Sequence, residues 1–288
     1  MNISRIKKIL TIVIISHKSA SKVVSFIKKL SNNLNILVVD NSRDLNLKKK
    51  LRNQRNVKLL FMKNKGYGAA INHARKFIKT QYFFVFSPDL VGVNNSLIYE
   101  FYKKAVGNLN FGALGPRYLN VTNKSHKQSD VSKKIGRIES IAGSAIFINN
   151  KAFDKVNGFD ENIFLFFEET DFCKKLIDCG YAIYQLNNTY VEHPKGISAG
   201  VVNVTEKKLI KKLSELYSWH FLWSKFYFYK KKYGYVLSII FFIPIILRTV
   251  YRIIIYTLIG KKFKRDKYIS RLNGLYNSII GKSSFKRL

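Results

Sequence analysis

Three carboxylates, Glu168, Glu169 and Asp171, fall within four positions directly after the apolar run Ile163-Phe164-Leu165-Phe166-Phe167, in a chain with only 17 acidic residues. An acid held against such a run loses hydration, its pKa rises, and near neutral pH it can take a proton from an alcohol. The cluster reads as a catalytic centre. On a helix Glu168 and Asp171 share a face, whereas Glu169 points about 100° away, so one face can do chemistry while the other orients a substrate or pairs with nearby bases. The plain alternative is an acidic helix start favoured by the helix dipole.

A second set of polar residues follows short apolar runs: His17-Lys18, Asp40-Asn41-Ser42, Asn64-Lys65-Gly66 and Asp89. A carboxylate such as Asp40 at a strand end can accept hydrogen bonds from a ribose or a nucleobase imide, or it can close its own Asp-Asn-Ser turn. Asp44 reads as a turn or cap residue. Between Asn64 and Asn72 the glycines Gly66 and Gly68 permit close backbone approach, and a helix starting near Gly68 offers free N–H groups to an anionic diphosphate. Ordinary strand-to-helix turn chemistry gives the same pattern. Gly143-Ser144-Ala145 suits either close approach of an acceptor or tight packing.

The elements that must position these groups follow from periodicity. Thr11–Ile15, Asn35–Val39, Val57–Met62 and Tyr82–Phe86 are strand-like runs, and Ser21–Leu30 and Gly68–Lys79 have helical spacing. This is a β-α-β pattern with a parallel sheet, on which ligands gather at the carboxyl ends of the strands. The polar tips therefore meet at one rim and make a nucleotide-sized site. Further on, Asn95–Gly107 is expected as a helix and Phe111–Leu114 as a strand. Residues 120–137 form a polar, basic loop able to order over a ligand. Gly143–Ile148 resumes a strand, Lys151–Val156 a short helix, and a helix from Glu168 to Cys179 ends at Gly180.

With 288 residues and 47% hydrophobic content the chain can build one large domain, or a domain and an appendage. Its net charge of +34 draws it toward something anionic, whether nucleic acid, lipid headgroups or a phosphorylated substrate. The two cysteines, Cys173 and Cys179, suit neither a disulfide framework nor a zinc site, and fit a reducing, cytoplasmic setting. The basic start Met1–Lys8 and the short apolar run Ile9–Ile15 read as leading into a buried strand, not as an export signal.

The character of the chain changes near residue 202, dividing it into a catalytic domain, 1–202, and a basic region, 203–288, with 19 Lys or Arg against three acids and a local charge of +16. Within it Tyr233–Ile259 is strongly apolar but interrupted by Pro244, Arg248 and Arg252. That pattern predicts one or two helices lying in the membrane interface, with Arg side chains reaching headgroups and Tyr227, Tyr229, Tyr233 and Tyr235 at the boundary. A single span and a buried basic subdomain are the alternatives. Trp219, His220 and Trp223 read as interface anchors, with stacking on a sugar as the second option.

Taken in order, Val38–Ser42, Asn64–Asn72, Phe86–Asp89, Gly143–Ala145 and Glu168–Asp171 resemble the family 2 glycosyltransferases, and are most similar to the rhamnosyltransferase-like branch that builds bacterial surface polysaccharides. The resemblance covers about residues 9–200. It implies a GT-A fold, an α/β Rossmann-like mixed sheet for nucleotide-diphospho-sugar transfer, here followed by a C-terminal amphipathic helical region. It also implies a nucleotide-sugar donor, a divalent metal (Mg or Mn) and inversion at the anomeric centre. The transfer implied is of a rhamnose-like or other hexose to a lipid-linked saccharide, at the cytoplasmic face of the cell membrane.

Carried over by position, the resemblance assigns Asp40, Asn64, Gly66, Gly68, Asn72 and Ser87 to the donor. It assigns Asp89 and His193 to the metal and Glu169 to the acceptor's proton, with Asp171 next in line and Glu168 beside them. His193 reads equally as an ordinary hydrogen-bonded or exposed histidine. This chain departs from the family pattern twice. Ser87 stands where the metal-binding Asp-x-Asp motif has its first acid, and Glu169 replaces the aspartate of the base, moving its carboxylate by more than about 1 Å. The departures leave room for a degenerate membrane-bound scaffold. Nucleic acid is not an expected partner, since no helix-turn-helix, RNP or zinc signature accompanies the charge.

Overall fold

The computed structural model describes residues 3–107, 109–119, 128–194 and 207–287. The expected boundary at 202/203 and residues 120–127 of the expected loop lie outside them. Two compact units emerge: residues up to 160 with those from 169, and a helical unit of residues 161–168 with those from 207.

In the first unit the order is α1 (Ile3–Ile9), β1 (Leu10–Ser16), α2 (Ala20–Ile27), β2 (Asn35–Asp40), α3 (Leu45–Leu51), β3 (Val57–Phe61), α4 (Tyr67–Arg75), β4 (Tyr82–Phe86) and α5 (Asn95–Ala105). There follow β5 (Phe111–Tyr118), β6 (Ile135–Arg137), β7 (Ala145–Asn149), α6 (Asn150–Lys155), α7 (Glu168–Asp178) and β8 (Ala182–Val191). The eight strands form one mixed sheet in the order β3-β2-β1-β4-β7-β5-β8-β6. β1 pairs in parallel with β2 and β4, and β7 runs antiparallel to β4 and β5.

Strands covered on both faces read as continuous apolar runs, and every residue of β1 and β4 is buried. Their side chains alternate between two cores. Ile12, Ile14, Phe84 and Phe86 enter one, and Val13, Ile15, Phe83 and Val85 the other. Parallel pairing brings the ends of β1, β2 and β4 to a common edge, with Ser16 opposite Asp40 and Ile14 opposite Phe86. Polar residues that follow these strands therefore meet there.

The helical unit holds α8 (Lys207–Tyr233), α9 (Tyr235–Leu258) and α10 (Lys262–Ile279). α9 is one helix running through Pro244, and by length and composition it is apolar enough to cross a membrane. Its polarity is inverted relative to a soluble helix. Ser238, Phe242 and Thr249 are buried, whereas Val236, Leu247 and Leu258 are 69%, 65% and 77% exposed.

Two expectations for this unit need correction. Arg252 does not reach outward to headgroups; it donates to the Tyr268 hydroxyl on α10. Trp219, His220 and Trp223 are neither interface anchors nor a sugar platform, because all three are buried. The Trp219 indole N–H donates to Asn273 and that of Trp223 to the Lys282 carbonyl, so these residues knit α8 to α10 and the chain beyond it. Gly274 makes that crossing possible, since a Cβ there would lie 2.2 Å from the Trp219 carbonyl oxygen.

Candidate active site

At the tip of β2 the Asp40 carboxylate is fully buried and accepts hydrogen bonds from the Ser42 N–H (3.0 Å), the Ser42 hydroxyl and the Asp44 N–H (3.1 Å). Both its oxygens thus stabilise the local turn. Asp44 caps α3 by accepting from Asn46 and Leu47, which accounts for a helix the sequence reading lacked. The polar edge at this tip comes from neighbours: His17 Nδ1 lies 2.6 Å from Asn41 Oδ1, and the Asn41 amide donates to Asn64 at 3.3 Å.

Asn64 also accepts from the Gly66 N–H at 3.2 Å, and Gly66 caps α4 at φ 108°, a region glycine enters without a Cβ penalty. The other two positions of this motif face inward. A Cβ on Gly68 would sit 2.8 Å from Cβ of Phe159, and the Asn72 amide brackets the Phe159 backbone with two hydrogen bonds of 2.9 Å. Gly66 and Asn64 belong to the rim; Gly68 and Asn72 hold α4 to the Phe159 segment.

Asp89 follows β4 in a turn held by the Ser87 N–H donating to the Ser144 carbonyl at 2.8 Å. Beyond it Val91 and Glu192 exchange two backbone hydrogen bonds of 3.0 Å, which sets the chain after β8 against this turn. His193 is the next residue. Its Nε2 lies 3.3 Å from Asp89 Oδ2, with the Asp89 side chain 2% exposed. Lys22 on α2 is close enough for the Asp89 charge to act on it: burial pulls the Lys22 pKa down, and Asp89 pushes back.

A carboxylate beside an imidazole nitrogen is a chemically sound donor pair for a divalent cation, with hard oxygen favouring Mg²⁺ or Mn²⁺. No cluster of three or more His, Cys, Asp or Glu that could hold a metal occurs among the described residues. Asp89 and His193 fit a shared site in which a ligand completes the shell.

Glu168, Glu169 and Asp171 occupy the first turn of α7. Glu168 and Asp171 are 6% and 3% exposed, while Glu169 keeps partial access. Burial raises the Glu169 pKa above the ordinary glutamate range; hydrogen bonds from its own N–H and that of Gly143 offset part of this. Gly143 leaves room, since a Cβ there would lie 3.7 Å from the Glu169 carboxyl. The Tyr67 hydroxyl donates to the Gly143 carbonyl.

Gly143-Ser144 links the two clusters. Ser144 Oγ lies 2.8 Å from the Tyr118 hydroxyl, whose pKa is pushed far up by burial and further by the charges of Glu169 and Asp89. Tyr118 thus feels both acids from a buried position. Tyr67, Tyr118 and Lys22 were not singled out from the sequence. Tyr67 lay inside a quoted motif, but Tyr118 closes a strand that runs four residues past its expected end, and no local pattern marks Lys22.

The sequence profile of Glycosyl transferase family 2 matches residues 11–157, more than half of the chain. No curated protein matches it in sequence. Among solved structures, the chain is similar to the mannosyltransferase PcManGT from Pyrobaculum calidifontis in complex with GDP-Man and Mn²⁺, at 12% identity and a TM-score of 0.60, covering 93% of this chain and 86% of that one. It is also similar to S. aureus TarS 1-349 in complex with UDP-GlcNAc, at 13% identity and a TM-score of 0.53, covering 95% and 92%. These likenesses establish a GT-A architecture. Given the matched profile and the mixed α/β sheet, the chain belongs to glycosyl transferase family 2 and is a nucleotide-sugar glycosyltransferase.

Proposed function

We propose that the protein transfers a hexose, rhamnose-like in keeping with the branch it resembles, from a nucleoside-diphosphate donor to a lipid-linked saccharide in cell-surface polysaccharide synthesis. Residues 1–202 carry out the transfer, and residues 203–288 hold the enzyme on the cytoplasmic face of the membrane. The observation that carries this reading is the Gly143-Ser144 bridge, which joins Glu169 to the Asp89–His193 pair within one unit.

In this reading the donor's nucleotide end lies along His17, Asn41 and Asn64, and its diphosphate meets the Gly66 turn and the Ser87–Asp89 turn. Asp89 and His193 would hold the divalent cation, which would offset the negative charge on the departing diphosphate. Glu169, its basicity raised by burial, takes the proton from the acceptor hydroxyl. That oxygen forms its bond to the anomeric carbon from the face opposite the diphosphate, and the bond to the diphosphate oxygen breaks. Inversion follows from the in-line geometry. Asp171 and Glu168, buried on the adjacent face, orient the α7 turn. The membrane assignment is supported by the outward apolar face of α9 and the lysines Lys230, Lys231 and Lys232 just ahead of it.

The test is thermal unfolding of the full chain with UDP-, dTDP- and GDP-sugars, with and without Mn²⁺, since a ligand that binds the native state stabilises it. One nucleotide class should raise the midpoint in the presence of Mn²⁺, and Asp89→Ala should lose that increment. If no nucleotide shifts the folded protein, the donor site is wrongly assigned.

A further inference from the structure

Cations in the helical unit are handled in two ways. Lys211 and Arg265 share Asp266, at 2.5 and 2.9 Å. Arg252 and Arg271 instead flank a single phenol: their guanidinium carbons lie 5.3 and 5.1 Å from the Tyr268 ring centre, and no carboxylate among the described residues pairs with either. Tyr268 stacks on Tyr256 at 5.7 Å, and Lys264 lies 5.6 Å over that second ring. Three cations thus gather on two half-buried tyrosines. Arg271 Nε is buried without a hydrogen-bond partner. Such an arrangement is repulsive by itself and becomes favourable when an anion supplies the missing acceptors.

The same helices carry an apolar groove of about 470 Å³, lined by Ile246 of α9 and Ile269, Leu272, Tyr276 and Ile279 of α10. Tyr268–Ile269 and Arg271–Leu272 are neighbours in sequence, so cluster and groove occupy the same turns of α10 on adjoining faces about 100° apart. An anionic head beside an apolar channel matches an amphiphile with a phosphoryl group at one end.

We propose that Arg252, Tyr268 and Arg271 bind the diphosphate of the lipid-linked acceptor and that the groove takes the first part of its hydrocarbon chain. The inference rests on the reading that the acceptor is lipid-linked. Two observations favour the acceptor over a bulk bilayer lipid. Arg252 lies on the inward side of α9, bonded to α10, and not on the apolar face that α9 exposes. Arg271 stands 5.8 Å over the Phe221 ring, and that ring packs on Phe166 and Phe167, directly before Glu168. The cluster therefore packs, through Phe221, on Phe166 and Phe167 of its own unit, which precede Glu168 in sequence.

Binding of geranylgeranyl diphosphate to the full chain in neutral detergent, measured by calorimetry, tests this without requiring turnover. Saturable binding is expected, with Arg252→Gln and Arg271→Gln each weakening it about tenfold or more. Ile269→Trp, at an exposed position where it fills the groove without touching a charge, should weaken the isoprenoid probe and spare inorganic diphosphate. Retention of the Mn²⁺-dependent nucleotide shift in each variant shows that it is folded. The proposal is overturned if wild-type protein fails to bind the probe, if the double arginine variant binds it unchanged, or if phosphatidylglycerol dissolved in the same detergent at equal concentration abolishes the binding heat of the probe. Probe binding that persists while donor binding fails counts against the proposed transfer alone; loss of the arginine effect with an intact donor site counts against this site alone.

Discussion

The ring of Phe167 packs 5.9 Å from that of Phe221 while its own backbone stands at φ 67°, and Phe166 before it stands at φ 66°. A left-handed backbone costs an L residue roughly 1–2 kcal/mol, so two in succession persist only because packing over-determines them. Phe166 meets Tyr217 and Phe221, and Phe167 meets Phe221 and Phe228, all on α8. An inverted ranking follows: Phe167→Gly should be more stable than Phe167→Ala by about 1–2 kcal/mol, because both lose the ring but only glycine escapes the backbone cost. Urea denaturation of the two variants decides it, and the usual order with alanine ahead would show that the strain is not there.

As the proposed base, Glu169 should carry the pH dependence of the transfer. Burial raises its pKa, and a base must be ionised to work, so the acid limb of kcat/KM should lie above the ordinary carboxylate range. The sign for stability is opposite. A carboxyl whose folded pKa is raised contributes stability below its unfolded pKa and loses it as pH rises through the folded value. Glu169→Gln should lower kcat by about a hundredfold to ten-thousandfold, whereas Asp171→Asn should leave the acid limb in place. A limb that moves with Asp171 instead would transfer the role of base to that residue.

Gly92 lies in the turn that sets Val91 against Glu192, between Asp89 and the chain leading to His193. It sits at φ 90°, and a Cβ there would lie 2.7 Å from the Tyr190 carbonyl oxygen, a backbone atom with little freedom to yield. Gly92→Ala should therefore cost roughly 1–3 kcal/mol and push apart the paired Val91 and Glu192 backbones. The readouts are the unfolding midpoint and the Mn²⁺ concentration needed for the nucleotide shift. Unchanged values for both would mean that this turn does not set the Asp89–His193 distance.

The parallel half of the sheet was legible because strands buried on both faces leave unbroken apolar runs, as in Thr11–Ile15 and Tyr82–Phe86. β8 was not, since Gln185, Asn187 and Thr189 break its pattern. Their polar side chains are buried but satisfied: the Ser129 N–H donates to Gln185 and the Asn187 amide to the Asp130 and Lys133 carbonyls far along the chain, while the Thr189 hydroxyl donates to the nearby Leu186 carbonyl. Hydrogen bonds to residues about 55 positions away have no local signature. The site shows the same division. Asp89, His193 and the acids of α7 stood out by residue type, but whether Asn64 or Asn72 faces the rim depends on which of them meets Phe159, and spacing is blind to that.

His220 supplies the sharpest pH prediction for the fold. It is fully buried on α8, with Nε2 2.8 Å from the Lys286 carbonyl oxygen and Nδ1 3.0 Å from Ser284 Oγ. Burial drives its pKa from 6.5 down to about 4, with the charges of Arg287 and Lys286 acting in the same direction and the Lys286 hydrogen bond opposing them. In the unfolded chain the ring takes up a proton near its ordinary pKa; in the fold it resists until about 4. Its contribution is therefore complete above the unfolded value and is lost as pH falls through the folded one, a difference of roughly 3 kcal/mol across that window. Since Ser284, Lys286 and Arg287 lie beyond α10, and Arg287 also stands 3.6 Å over the Phe164 ring, protonation should first loosen the C-terminal residues from α8 and from the segment before Glu168. Unfolding midpoints between pH 7 and 4 should fall more steeply for the wild type than for His220→Gln, whose amide replaces the ring without titrating; parallel slopes would remove His220 as the acid-sensitive element.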